Sequence, residues 1–382
     1  MHLILTKLEW LAANWVALAV VLLSFGFIIF VHELGHFLTA KRVGITVYEF
    51  ALGFGPKLFA RTVDGTEYCL RAFPLGGFVR MEGEDDPDAN PDDPGSFLNK
   101  PWMSQIVVLG GGCFMNYVSA LAALLLLGFV HGSMPNPDRM LVPLNFVGGI
   151  QDGSPAAKAG LAVDDRIVAI NDAPVENFLD VVSKVRGHGG EEIKVSVVRE
   201  GKSIDFRLVP LAVDDGSPEH RKIGRMGVIP TSKGTIAWVP IDSAADCFSR
   251  SGQWITKITL LPFEILSRLT RHEITVKEVG EGTGGPLLIG QMLFEVYHQG
   301  IWALLFFWAI ICTSVGSFNL LPIPALDGAR ILFVSIGALR GRPIDPRKEG
   351  VVHLAGLVVL LCAMAAFSVH DVIRMWQGVH FF

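Results

Sequence analysis

Four stretches of this chain, roughly residues 15–39, 105–130, 301–321 and 351–369, are apolar and nearly free of charge. Each meets the length of about 20 residues that a helix needs to cross a bilayer. The composition agrees: 382 residues, 51% hydrophobic and only 18% charged, with a mean hydropathy of +0.44. That balance suits a membrane protein with a soluble portion and is too apolar for an ordinary globular enzyme. A net charge of −5 offers no basic surface for nucleic acid. Cys69, Cys113, Cys247, Cys312 and Cys362 are scattered, which argues against a disulfide framework or a cysteine zinc site. The first apolar stretch lacks a clear small-residue cleavage site, so it reads as a retained span and not as a signal peptide.

Basic residues in the short loops set an orientation. Lys41, Arg42, Lys57, Arg61, Arg71, Arg80 and Lys100 lie between spans one and two, and Arg330, Arg340, Arg342, Arg347 and Lys348 between spans three and four. The terminal tails offer only Lys7 and Arg374. The positive-inside rule puts both loops in the cytoplasm and both termini outside, and the acidic run 82–93 counts for little in that rule. The polar stretch between spans two and three then falls on the outer side.

At the inner end of the first span stands His32-Glu33-Leu34-Gly35-His36. Residues four apart share a helix face, so both histidines can turn a ring nitrogen to one metal, and Glu33 can serve as general base toward water. Ionisable groups near membrane depth are costly, roughly 2.5–3.5 kcal/mol for a central Asp, and are usually functional. The third span also runs inward and ends at Asn319-Leu320-Leu321-Pro322-Ile323-Pro324-Ala325-Leu326-Asp327-Gly328. Its two prolines break the helix, and such backbone is tolerated where it is buried in protein or lines a wet cavity. Asp-Gly alone is an ordinary turn. Arriving at the depth of the histidines, Asp327 becomes a candidate third zinc ligand, with the fourth position left for water. Gly110-Gly111-Gly112-Cys113-Phe114-Met115-Asn116 opens the second span. It reads either as small-residue helix packing or as a site at which Asn116 faces the metal cavity.

In this order the three motifs resemble those of the site-2 protease family, the intramembrane zinc metalloproteases of peptidase family M50, and more closely its bacterial regulator-of-sigma-E branch. The stretches 32–40, 53–56, 68–81, 284–286 and 319–327 carry the likeness, which covers nearly the whole chain. The resemblance implies that His32, His36 and Asp327 bind Zn2+, that Glu33 activates water, and that Asn116 and Asn319 position substrate. It implies that residues 68–81, read as two strand-like runs around Leu75-Gly76-Gly77, form a membrane-associated hairpin that can offer an edge to an unwound substrate. Where many relatives continue Asp-Gly-Gly, this chain has Asp327-Gly328-Ala329.

The outer stretch resembles bacterial PDZ domains. A turn and short helix closed by Gly160 precede a strand at 165–171, a helix at 178–185, strands at 193–198 and 203–209 around Glu200-Gly201, and a closing strand at 223–230. Asp164 stands where relatives usually carry Gly. A peptide groove is expected at Gly148, Gly149 and Ile150. Residues 241–272 read as an amphipathic helix at the outer interface.

The expected fold is a polytopic α-helical membrane protein of four transmembrane helices, with an inserted α+β PDZ domain and a membrane-associated β-hairpin. Its parts are 1–130 (spans one and two), 131–235 (periplasmic PDZ domain), 236–295 (amphipathic linker) and 296–382 (spans three and four). The expected function is a zinc metalloendopeptidase of the bacterial inner membrane. Its substrates are expected to be single-span membrane proteins, such as a pre-trimmed anti-sigma factor, and its PDZ domain is expected to take periplasmic peptide tails. The alternatives are a catalytically silent PDZ-bearing scaffold and a proton-coupled transporter.

Overall fold

A computed structural model describes residues 2–84, 93–137, 141–214, 222–230, 234–271 and 286–376. Most of the acidic run and the Gly284-Gly285 pair fall outside the described residues. The chain divides into two compact units, one of residues 1–134 and 240–376, the other centred on Pro135–Val239.

The first unit contains, in chain order, α1 (His2–Arg42), β1 (Val47–Val63), β2 (Thr66–Met81), α2 (Trp102–Leu126), α3 (Ala244–Thr270), α4 (Pro286–His298), α5 (Ile301–Asn319), α6 (Asp327–Leu339) and α7 (Pro346–Trp376). Four helical stretches are long and apolar enough to cross a membrane: Asn14–Arg42, Trp102–His131, Ile301–Asn319 and Pro346–Ile373. They fall on the four expected spans. Helices α4 and α6 lie outside that expectation. Neither reaches the length of a span, and α4 makes up for this by tertiary burial of Leu288, Leu293 and Val296. Its first turn is held by the Asp371 carboxylate of α7, which accepts from the Leu288 amide at 3.1 Å.

Glycine lets α1 and α2 meet backbone to backbone. A Cβ on Gly35 would fall 2.1 Å from the Gly111 carbonyl oxygen, and one on Gly111 would fall 2.7 Å from that of Gly35. Small residues at a helix crossing permit this approach. Below it, Phe37, Ala40, Ile45, Val47, Phe50, Met81, Val108 and Leu109 form one core, joining the end of α1, the sheet and the start of α2.

The hairpin differs from expectation. Residues 68–81 do not pair with themselves: Phe50 and Ala51 of β1 pair with Val79 and Phe78 on one side and with Tyr68 and Cys69 on the other. The tight reversal is Asp64-Gly65, with φ of 48° and 76°, between the paired Val63 and Thr66. Asp-Gly with both φ positive is the two-residue turn that matches strand twist, whereas Leu75-Gly76-Gly77 lies within β2. Residues 77–81 thereby become an outer strand of the sheet. Helix α3 occupies the expected amphipathic stretch. It buries Cys247, Ser251 and Trp254 and exposes Phe248, Leu260, Leu261 and Phe263.

The second unit is α+β. Its largest sheet runs in the order 173–174, 166–170, 193–199, 202–208, all antiparallel. Helix Phe178–Arg186 starts in a capping box between Asn177 and Asp180. Val147, Ile167, Ile170, Val181, Val185, Ile193, Val195 and Val197 form the core. Asp164 has φ of 69°, a left-handed turn position that glycine takes without steric cost, which explains the glycine usual there. Next to it, Asp165 is fully buried and accepts from Arg199 Nε at 2.6 Å and Nη2 at 2.7 Å and from the Ala162 amide at 2.9 Å.

Burial alone would raise the Asp165 carboxyl, but the Arg199 hydrogen bonds and the Ala162 amide outweigh it and hold the group below the usual carboxylate range. A carboxyl depressed in the folded state contributes stability above its unfolded pKa of about 3.9 and loses it as pH falls toward the folded value. Thermal melting of the second unit should therefore be level from neutral pH down to about 5 and decline below about 4. Asp165→Asn should cost roughly 2–3 kcal/mol at neutral pH and flatten that acid limb.

Candidate metal centre

Four helices contribute to one cluster of polar side chains. His32, Glu33 and His36 come from a continuous turn of α1, Cys113 and Asn116 from α2, Asn319 from the last residue of α5, and Asp327 from the first turn of α6. His32 Nε2 lies 3.1 Å from Asp327 Oδ2, His36 Nε2 lies 3.4 Å from the same oxygen, and the two Nε2 atoms are 3.2 Å apart. His32, His36 and Asp327, the expected ligands, all converge on this point. Ile29, His32, Glu33, Val315, Asn319, Ala325, Leu326 and Asp327 line an adjoining cavity of about 260 Å³.

The donors fit zinc. Ligand bonds of ~2.0–2.1 Å in a tetrahedron put ligand atoms roughly 3.3 Å apart, the size of this triangle. The other ring nitrogens are also engaged as ligation requires. His36 Nδ1 lies 2.9 Å from the Val108 carbonyl, to which it donates, leaving Nε2 as the lone-pair donor. His32 Nδ1 faces the Asn116 amide at 3.2 Å, while Asn116 Oδ1 is buried without a partner. A half-turn of the carboxamide, whose two ends are alike in shape, lets Oδ1 accept from His32 Nδ1–H and fixes the matching tautomer.

Glycine makes room for the rings. A Cβ on Gly112 would lie 2.4 Å from His36 Nε2 and 2.8 Å from His32 Nε2. Glu33 sits beside the histidines and against the outer strand: its carboxylate lies near the Val79 amide, and its Cγ lies 3.6 Å from the Cβ position of Gly77. Asn319 Nδ2 is 3.5 Å from His32 Nε2. Asn116 is fully buried at the back of the site, whereas Asn319 borders the open cavity, so the two asparagines occupy different positions. Cys113 was not expected here, yet its Sγ lies 3.9 Å from Asp327 Oδ2. Its spacing of three from Asn116, on one helix face, is the signal that could have found it.

The strand of the expected peptide groove has one edge paired. Gly149 and Ile150 are in register with Ile229 and Val228, and a Cβ on Gly149 would touch Ile229. The partner strand Val228–Pro230 therefore covers this side of Gly148, Gly149 and Ile150.

The profile of peptidase family M50 matches residues 20–363. The regulator of sigma-W protease RasP of Bacillus subtilis is 31% identical, over 93% of this chain and 98% of its own length. A putative zinc metalloprotease of Clostridium acetobutylicum is 30% identical, over 93% of this chain and 97% of its own. Among solved structures, the PDZ domain of an SdrC-like protein from Listeria monocytogenes is 15% identical over 24% of this chain and 92% of its own, with a TM-score of 0.20. The chain belongs to peptidase family M50 and is a zinc metalloprotease.

Gly112→Ala should push the two imidazoles off the triangle and lower bound zinc at least tenfold. Gly110→Ala, where a Cβ meets nothing within 4 Å, should leave it unchanged. Metal analysis of the purified variants checks both.

Proposed function

We propose that this chain is an intramembrane endopeptidase, cutting single-span membrane proteins near the cytoplasmic face of the bacterial inner membrane. The observation that carries the reading is the His32–His36–Asp327 triangle, with Glu33 beside it: the histidines and Glu33 stand on a helix long and apolar enough to cross a bilayer, and Asp327 opens the short helix that follows another. Water is scarce at such depth, so hydrolysis needs a protein-lined cavity, and the space between Glu33 and Asn319 supplies one. His32, His36 and Asp327 hold the metal. Bound zinc supplies positive charge that draws the pKa of water toward ~7 and polarises a carbonyl. The Glu33 carboxylate takes the proton of the attacking water and returns it to the leaving amide nitrogen. Asn116 keeps His32 in its ligating tautomer, and Asn319 orients the scissile peptide.

The outer strand at 77–81 supports a binding mode. Among the described residues its second edge pairs with no strand, and Gly77 and Val79 adjoin Glu33. An unwound substrate segment added to this edge as a strand would pass the metal centre. The second unit has the element order of a PDZ domain, and we assign it to the periplasmic side from the basic loops. In it a peptide tail would add to the edge of Val228–Pro230 that pairs with no strand among the described residues, and not to Gly148–Ile150. RasP is named for the regulation of sigma-W, and by that kinship a pre-trimmed anti-sigma factor is the leading substrate class.

Glu33→Gln should keep zinc and bound substrate while lowering cleavage of a co-expressed single-span substrate by a factor of at least 10²–10⁴. Unchanged cleavage would sink the mechanism. His32→Ala and Asp327→Asn should each lose zinc, and retention of metal in both would overturn the ligand set. A silent scaffold or a proton relay predicts no cleavage in the parent protein either.

A further inference from the structure

The turn that delivers Asp327 is held in place from outside itself. Ala325, two residues before the ligand, has φ of +80°, a conformation that an L side chain rarely takes. Its amide donates to His353 Nδ1 of α7 at 3.0 Å. His353 Nε2 faces Glu349 Oε1, one helical turn earlier, at 3.7 Å. Because Nδ1 accepts from the Ala325 amide, the ring proton sits on Nε2, on the side of the Glu349 carboxylate. The Phe333 ring of α6 packs edge-on against the imidazole at 5.7 Å.

Two further contacts act on the same turn. On the face of α7 that carries His353, Gly356 lies against Pro324, where a Cβ would come 2.3 Å from the Pro324 Cβ and 2.6 Å from its carbonyl oxygen. Past the ligand, Arg330 of α6 reaches Glu349 Oε1 at 3.8 Å and binds Glu84 through its carboxylate at 2.6 Å and its carbonyl at 2.8 Å. Helix α7 thus grips the chain on both sides of Asp327, although the side chains along most of its length are exposed.

We propose that His353 is a positioning residue for the metal centre: by accepting from the Ala325 amide it holds the left-handed turn that aims Asp327 at the two histidines. This rests on the reading of Asp327 as a ligand. His353 touches neither substrate nor metal, and its effect runs through backbone geometry.

The test uses the full chain in detergent, with zinc affinity read by chelator competition and ligand geometry by the visible spectrum of the Co2+-loaded protein. His353→Leu removes the acceptor and should weaken zinc binding roughly tenfold or more, the scale seen for partners of metal ligands. His353→Gln keeps an acceptor and should stay within about threefold of the parent. Ala325→Gly takes the left-handed conformation without steric cost, so adding it to His353→Leu should restore most of the lost affinity. Gly356→Ala should weaken binding independently and alter the Co2+ spectrum. The proposal is overturned if His353→Leu binds zinc like the parent, or if His353→Gln is as weak as His353→Leu. A loss that Ala325→Gly fails to restore means general packing damage and overturns it equally. Asp327→Asn is measured alongside: retained zinc there defeats the ligand assignment, whereas its loss with His353→Leu unaffected defeats only the positioning role.

Discussion

The backbone contact between Gly35 and Gly111 sets the geometry on which everything else depends. Helices ordinarily pack with axes 8–10 Å apart because side chains keep them there. Here backbone meets backbone with the small Thr39 side chain alongside, and the Gly35 and Gly111 carbonyls lie close to the opposing α-carbons. This approach lets the rings of His32 and His36 pass over Gly112 toward α6 instead of being stopped by α2. The same crossing brings Val108 O to His36 and Asn116 to His32. The glycine run is thus both packing surface and a wall of the candidate metal site, which joins the two readings that its sequence left open.

A second constraint is that buried polar groups need partners, since an unpaired one costs more than a hydrogen bond gains. Along α5, Thr313 and Ser317 bond back to carbonyls four residues earlier. Ser317 also meets Tyr117 at 2.8 Å, and Thr259 of α3 completes that cluster. These small polar bridges join α2, α3 and α5 without placing a charge in apolar surroundings. The concentrated charge lies at the His32–His36–Asp327 triangle, where two lone-pair nitrogens and a carboxylate face one another at 3.1–3.4 Å. A bound metal cation would relieve that arrangement, which ties metal binding to local packing.

What could be read from the residues follows the range of the interactions involved. The four spans were legible because uninterrupted apolarity over a bilayer's width is a local property of the chain. The pairing of His32 with His36 was legible because helical periodicity places them together. Asp327 needed topology as well, the argument that two inward spans end at one depth. The sheet was misread because β1 and β2 are sixteen or more residues long and each bends to pair twice. Propensity marked strand-like runs near Tyr68 and Phe78, but the strand between them, centred on Phe50 and Ala51, comes from earlier in the chain. Cys113, the Val79 amide and the grip of His353 on Ala325 were not legible, since each depends on a contact between elements far apart in sequence.

The position of Asp327 explains why the proposed third ligand arrives on a broken helix. A carboxylate in the first turn of α6 sits at the positive end of that helix, where unpaired amides favour negative charge. An uninterrupted α5 would carry the chain onward past this point. Pro322 and Pro324 stop it, and the chain reverses so tightly that a Cβ on Gly328 would fall 2.3 Å from the Leu320 carbonyl oxygen and 2.4 Å from that of Leu321. Glycine is therefore required at 328. It is not required at 329, where Ala329 lies buried in regular helix with room for its methyl group. The departure from Asp-Gly-Gly leaves the turn intact because the steric demand ends one residue after the ligand. The site tolerates sequence change where the helix is regular and forbids it where backbone meets backbone.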